Sequence, residues 1–142
     1  MTINEFMTNE HRSCDEEFAN LENAVDIGDW DNANGFFARF RDMMLRHFAQ
    51  EEQVMFEEYN NCEGGHCNPT GVMIMEHEQM RALFDQMQNA ITNQDKDGLL
   101  GLSENLLFVM QQHNMKEEQM MYNMADEFLD ANDIIERMKQ IS

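Results

Sequence analysis

One proline in 142 residues, few runs of β-branched side chains and only nine lysines and arginines set the first limits on this chain. With proline nearly absent and Leu, Met, Ala, Glu and Gln abundant, helices can run uninterrupted, and little is left from which to build strands. The chain reads as all-α. No stretch approaches the ~20 apolar residues of a membrane span. The opening residues, Met1 to Met7, lack the basic region and apolar run of an export signal. A cytoplasmic protein with no membrane partner is expected. Three cysteines, an odd number, do not make a disulfide framework, and free thiols are the simpler reading.

The scarcity of cations has its own consequence. Nine basic residues against 28 acidic ones give a formal net charge of -19, which repels nucleic acid and anionic membrane surfaces. The plain reading of such a surface is solubility; the sharper one is a field that attracts metal cations. The length suits one domain, residues 1–142.

Apolar residues at helical spacing mark four long helices. The first carries Phe6 or Met7, His11, Cys14, Phe18, Leu21 and Val25, and ends at Gly28 and Asp29. A second runs from Trp30 to about Asn60 through Phe36, Phe40, Met44, His47, Glu51 and Val54. Asn60, Asn61, Gly64, Gly65, Asn68 and Pro69 mark a loop, and proline suits the first turn of the next helix. That third helix carries Met73, His77, Met80, Phe84, Met87 and Ile91. The fourth, after a turn at Asn93 to Gly98, carries Leu99, Leu106, Met110, His113, Glu117, Met120 and Met124. A shorter segment with Phe128, Leu129, Ile134, Ile135, Met138 and Ile141 comes last as a C-terminal addition. Short links between long amphipathic helices predict an up-down four-helix bundle, whose facing side chains can build a metal site in the core.

The apolar stripes contain residues that do not belong in a core. Each long helix places one histidine on its inward face: His11, His47, His77 and His113. Glu51 follows His47, and Glu117 follows His113, by four residues, one helical turn on the same face. A single buried histidine is ordinarily a hydrogen-bonded core residue. Four of them with two carboxylates, and no Lys or Arg on the stripes to pair with, require a different balance, because buried charge is costly unless paired or bound to metal. Imidazole and carboxylate together suit iron, manganese or zinc, and carboxylates set between histidines can bridge two ions. Glu52 and Glu118 fall about 100° off the stripes on a helical wheel and read as supporting or solvated residues.

The ordered set, His11, then His47-x-x-x-Glu51, then His77 in Met75-Glu76-His77-Glu78-Gln79-Met80, then His113-x-x-x-Glu117, resembles the hemerythrin-like HHE cation-binding domain from about His11 to Asp126. The resemblance implies a four-helix bundle holding two Fe ions, a non-heme di-iron centre bridged by carboxylates and an oxo or hydroxo group. It implies His11, His47, His77 and His113 as terminal ligands and Glu51 and Glu117 as bridges. Proteins of this kind reversibly bind oxygen, or act in oxygen or redox sensing, nitric oxide handling and iron homeostasis. The chain departs from the oxygen carriers at Met73, where they have a second third-helix histidine, and at Glu118, which stands where they usually place an aspartate. Glu117 keeps to the stripe and is the expected ligand, with Glu118 the alternative.

Three other patterns have plainer readings beside the sharp ones. Cys62, His66 and Cys67 suggest a zinc or thiol site, or ordinary loop thiols. Asn93, Asp95, Asp97, Gly98 and Glu104 resemble a calcium loop, but a turn with Asp97 capping the next helix accounts for the same residues. Met73, Met75 and Met80 around His77 suit Cu(I), though methionine on a stripe is ordinary core packing. The expectation is therefore a di-iron protein that binds oxygen or another small diatomic ligand, as carrier or sensor. The alternatives are a di-iron enzyme handling peroxide or nitric oxide, and an iron storage or homeostasis module.

Overall fold

The computed structural model describes residues 1–61 and 69–141. Helix α1 (Ile3–Asp26) is followed by α2 (Trp30–Gln50), which continues through a π-helical turn (Glu51–Met55) into α3 (Phe56–Asn61). After the link come α4 (Pro69–Thr92) and α5 (Lys96–Lys116), and α5 continues through a second π-helical turn (Glu117–Met121) into α6 (Tyr122–Phe128). The last helix is α7 (Ala131–Lys139). The described residues contain no strand. The four long helices form the all-α bundle expected from the periodicity, with α1 packed along α2 and α4 along α5.

The helix ends are set by local chemistry. Thr2, Asp29, Asp95 and Asp130 each accept a hydrogen bond from a backbone N–H in the first turn of the helix they precede, supplying partners that the helix cannot provide itself. The cap of α5 is thus Asp95 and not Asp97. The helix begins at Lys96 and runs unbroken through Glu104, so the calcium-loop reading has no loop to occupy. Asp126 caps α1 from the far end of the chain, its carboxylate accepting from the N–H groups of Ile3 at 2.7 Å and Asn4 at 3.1 Å. That contact ties α6 to the start of the bundle.

The two helical hairpins correspond in numbering. Adding 66 to the bounds of α1, α2 and the first π-helical turn gives those of α4, α5 and the second. The turns match too: Gly28 and Gln94 both have positive φ, 75° and 52°, and both precede a capping aspartate. Glycine meets that requirement without a Cβ penalty, whereas glutamine must tolerate it.

The core falls into two apolar clusters. One is built around Phe18, Phe37, Phe40, Phe84, Leu99 and Leu106, toward the turns at Gly28 and Gln94. The other joins Ile3, Met7, Met55, Tyr59, Met73 and Met121 to Ile134 and Met138 of α7. Complete burial of side chains of this size contributes about 1.5–3 kcal/mol each. Between the clusters lies a buried layer of His11, His47, Glu51, His77, His113 and Glu117.

The stripes of α1 and α4 are inward as expected. On α2 the fully buried aromatic is Phe37, with Phe36 only partly covered. On the fourth stripe the expectation fails after Glu117: Met120 is exposed and Met124 half-buried, and Met121, Tyr122 and Ala125 point inward instead. The π-helical turn is the cause, since an i→i+5 turn accommodates an extra residue and rotates the helix beyond it. Phe128 is also exposed, whereas Ile134, Ile135 and Met138 are buried as expected. Cys62, His66 and Cys67 lie outside the described residues.

Candidate metal centre

All six residues singled out by the sequence come together in the buried layer. His11 and His47 approach through Nε2 at 3.0 Å. Nε2 of His11 lies 3.2 Å from Oε1 of Glu117, and Nε2 of His113 lies 3.0 Å from the same oxygen. Oε1 of Glu51 lies 3.4 Å from Nε2 of His47 and 3.1 Å from Nε2 of His77. Each carboxylate therefore stands between a histidine of one hairpin and a histidine of the other. Two overlapping groups have ligand atoms close enough to share an ion: Glu51, His77, His113 and Glu117, and His11, His47 and Glu117.

The outward nitrogens explain this convergence. Nδ1 of His11 meets Glu118 at 2.7 Å, Nδ1 of His77 meets Glu52 at 2.5 Å, and Nδ1 of His113 meets Glu76 at 3.0 Å. An Nδ1–H donating to a carboxylate leaves the Nε2 lone pair directed into the centre, and such an outer carboxylate both orients a metal-ligating histidine and raises its basicity. Glu118 thus supports His11 from outside, and Glu117 is the buried carboxylate of the cluster. Glu52 is additionally held by Arg81 at 3.0 Å, and Glu76 by Lys116.

The 66-residue offset runs through the site. It relates His11 to His77, His47 to His113, Glu51 to Glu117, and Glu52 to Glu118. Glu10 correspondingly matches Glu76, but Glu10 faces Arg46 at 3.6 Å, and Nδ1 of His47 has no hydrogen-bond partner among the described residues. Met7 matches Met73, and both are buried in the apolar cluster beside the site. The residue standing in place of a second α4 histidine is therefore a packing residue with a counterpart in the other hairpin.

The pattern breaks at one further pair. Tyr122, five residues after Glu117, is buried with its hydroxyl donating to Oε2 of Glu51 at 3.0 Å. The same hydroxyl lies 3.0 Å from Nε2 of His11 and 3.3 Å from Nε2 of His47. Its counterpart, Phe56, offers His77 only a ring, stacked at 6.0 Å. Sequence reasoning misses Tyr122, since 3.6-residue periodicity puts Met120 and Met124 inside instead. A signal is present: Glu51-Glu52-Gln53-Val54-Met55-Phe56 is repeated as Glu117-Glu118-Gln119-Met120-Met121-Tyr122. Glu76 is missed as well, since it sits beside His77 and off the stripe.

The electrostatics are those of a site built around lone pairs. Burial, reinforced by the neighbouring imidazoles, pushes His47 down to about 3. Burial also lowers His113. For Glu51, burial acts upward but is outweighed by His47 and by the hydrogen bond from His77, and the carboxyl falls to about 2. Burial and the charge of Glu51 hold Tyr122 well above its ordinary value, so it keeps its proton. Both oxygens of Glu117 and Nε2 of His113 are buried without a well-formed hydrogen bond among the described residues. Unsatisfied buried acceptors of this kind cost ~1–3 kcal/mol each, and a cation shared between them would remove that penalty. Two carboxylates and four imidazoles make a donor set suited to iron, manganese or zinc.

A family model described as the hemerythrin HHE cation binding domain matches residues 2–125. No match was found among curated proteins or among solved structures. The matched span contains the six residues of the buried cluster, their outer carboxylates and Tyr122.

Proposed function

Because this chain belongs to the hemerythrin HHE cation-binding domain family, we propose that it is a single hemerythrin-like domain holding two iron ions and binding oxygen or another small diatomic ligand, as carrier or sensor. The observation that carries this reading is the placement of Glu51 and Glu117. Each buried carboxylate stands between histidines of opposite hairpins, as a bridge between two ions requires. His11 and His47 would hold one ion and His77 and His113 the other.

An iron pair, when bound, supplies the electrons that hold a diatomic ligand. The chain's own residues set the conditions. Glu118, Glu52 and Glu76 hold three imidazoles with Nε2 inward. The apolar clusters on either side exclude bulk water and bulky reactants. Tyr122 retains a proton within 3.0–3.3 Å of Glu51, His11 and His47, which makes that half of the site able to donate a hydrogen bond where the Phe56 half cannot.

The test is metal content and an absorption spectrum of anaerobically purified protein, before and after oxygen. Two irons per chain with oxygen-dependent bands that vanish on removal of oxygen support this reading. Two irons that oxidise without return, with turnover of peroxide or nitric oxide above that of free iron, favour the enzyme reading, for which the protonated Tyr122 beside the site is the specific support. Binding of one ion or none would overturn the di-iron proposal.

A further inference from the structure

The offset of 66 residues makes the two sides of the bundle comparable, and they differ in access. Between α1 and α5 lies a groove of about 440 Å³, lined in part by Asp15, Glu22, Leu107, Asn114 and Glu118. Its Glu118 is the carboxylate that holds His11 at 2.7 Å, so the groove ends one side chain away from the buried cluster. No Lys or Arg is among its described lining residues.

The equivalent seam, between α4 and α2, is filled. The counterpart of Asn114 is Phe48, whose ring stacks on His77 at 4.0 Å. The counterpart of Asp15 is Arg81, which lies 5.2 Å over the ring of Phe48 and pairs with Glu52 at 3.0 Å. The counterparts of Leu107 and Glu22 are Arg41 and Gln88, joined across the seam by a hydrogen bond of 3.2 Å. An aromatic plug and two guanidinium groups thus stand where the other side has a cavity, an amide and carboxylates.

We infer that the α1–α5 groove is the route by which divalent cations reach the buried cluster, and that Phe48, Arg81 and Arg41 close the corresponding route on the other side. The inference rests on the cation-binding reading above. A groove lined by one sign of charge raises the local concentration of the opposite ion and its rate of association. Asp15 and Glu22 provide that charge at the mouth, and Glu118 at the inner end. Cations then arrive first at the half of the centre containing His11 and His47.

The decisive experiment measures the rate and the endpoint of Co(II) uptake by metal-free protein, followed by visible absorption. Asn114→Phe transplants the plug of the closed seam into the open one. Asp15→Asn with Glu22→Gln removes charge without touching any residue of the cluster or its supports. Both variants are expected to load at least about tenfold more slowly than the parent at low salt, to the same final stoichiometry. For the charge variant, added salt should narrow the difference. Uptake at the parent rate in a correctly folded Asn114→Phe protein overturns the route. If that variant does not fold, the charge variant decides alone, and a parent-like rate at low salt overturns the route equally. A parent protein that binds no Co(II) at equilibrium overturns the cation reading beneath it, which separates the two failures.

Discussion

The hydroxyl of Tyr122 donates to Oε2 of Glu51 at 3.0 Å, across from the hairpin that carries Glu51 itself. A near-symmetric cluster is made asymmetric by this one bond, since Phe56 in the other half has no hydroxyl to give. The π-helical turn at Glu117–Met121 is what delivers it, by rotating Tyr122 inward five residues after the carboxylate.

Tyr122→Phe should therefore act differently on empty and loaded protein. Without metal, loss of the donor leaves a buried carboxylate oxygen of Glu51 unsatisfied and should cost about 1–3 kcal/mol of stability. With metal, the cation takes over part of that role and the cost should shrink. Urea unfolding of the two proteins, each with and without bound ion, checks this. No loss in the metal-free protein would mean that the phenol serves packing alone, and an equal loss in both states would mean that the cation takes over none of its role.

Met73 is a sharper case, because its identity raises the question of a missing ligand. Its counterpart, Met7, and the apolar cluster around both assign it to packing. Met73→Leu conserves volume and should cost less than about 1.5 kcal/mol, with metal stoichiometry and affinity unchanged. A fall in affinity measured by chelator competition would make the thioether a ligand after all.

Much of this site is legible in the sequence because α1 and α4 are α-helical from end to end, with no π-helical turn. A 3.6-residue period holds from Met7 to Val25 and from Met73 to Ile91, so His11 and His77 fall on the inward stripe without adjustment. The same period holds as far as Glu51 and Glu117, and both carboxylates fall on their stripes. Beyond Glu117 it fails, because the π-helical turn changes the phase just where the carboxylate sits, whereas Val54 beyond Glu51 is buried as expected. That phase change hides Tyr122 and wrongly places Met120 and Met124 inside. Glu52 and Glu118 are legible only as off-stripe supporting or solvated residues, and Glu76 is not singled out at all, for a different reason. They approach the imidazoles from outside, and only the three-dimensional pairing of hairpins reveals which histidine each one holds.

The outer carboxylates lead to a third expectation. Glu118 touches His11 and lies outside the buried cluster, so Glu118→Ala should leave the six candidate ligands present but His11 unoriented. Loss of such a partner ordinarily costs about 10–100-fold in metal affinity. Isothermal titration with Co(II) would register it. Affinity equal to that of the parent would show that the 2.7 Å contact between His11 and Glu118 does not support binding.

The acid response of the metal-free protein is governed by the same cluster. His47 is lowered from 6.5 to about 3 by burial, so the unfolded chain takes up its proton first and stability falls as pH drops through that interval. His113 acts in the same direction. His77 acts oppositely: burial lowers it, but hydrogen bonds to Glu51 and Glu52 raise it overall, and its contribution is present at low pH and lost as pH rises. The loss at His77 lies above pH 6.5, so between pH 6.5 and 4.5 it does not offset His47 and His113, and stability falls as pH drops. Below 4.5 the fall steepens, because Glu51, lowered to about 2, and the also-lowered Glu52, Glu76 and Glu118 each contribute stability that protonation removes. Stability should thus fall already from pH 6.5 to 4.5 and more steeply beneath it. One uncompensated proton corresponds to about 1.4 kcal/mol per pH unit. Urea midpoints measured at pH 7, 5.5, 4.5 and 4 would trace this profile, and a midpoint unchanged between pH 4.5 and 4 would contradict it.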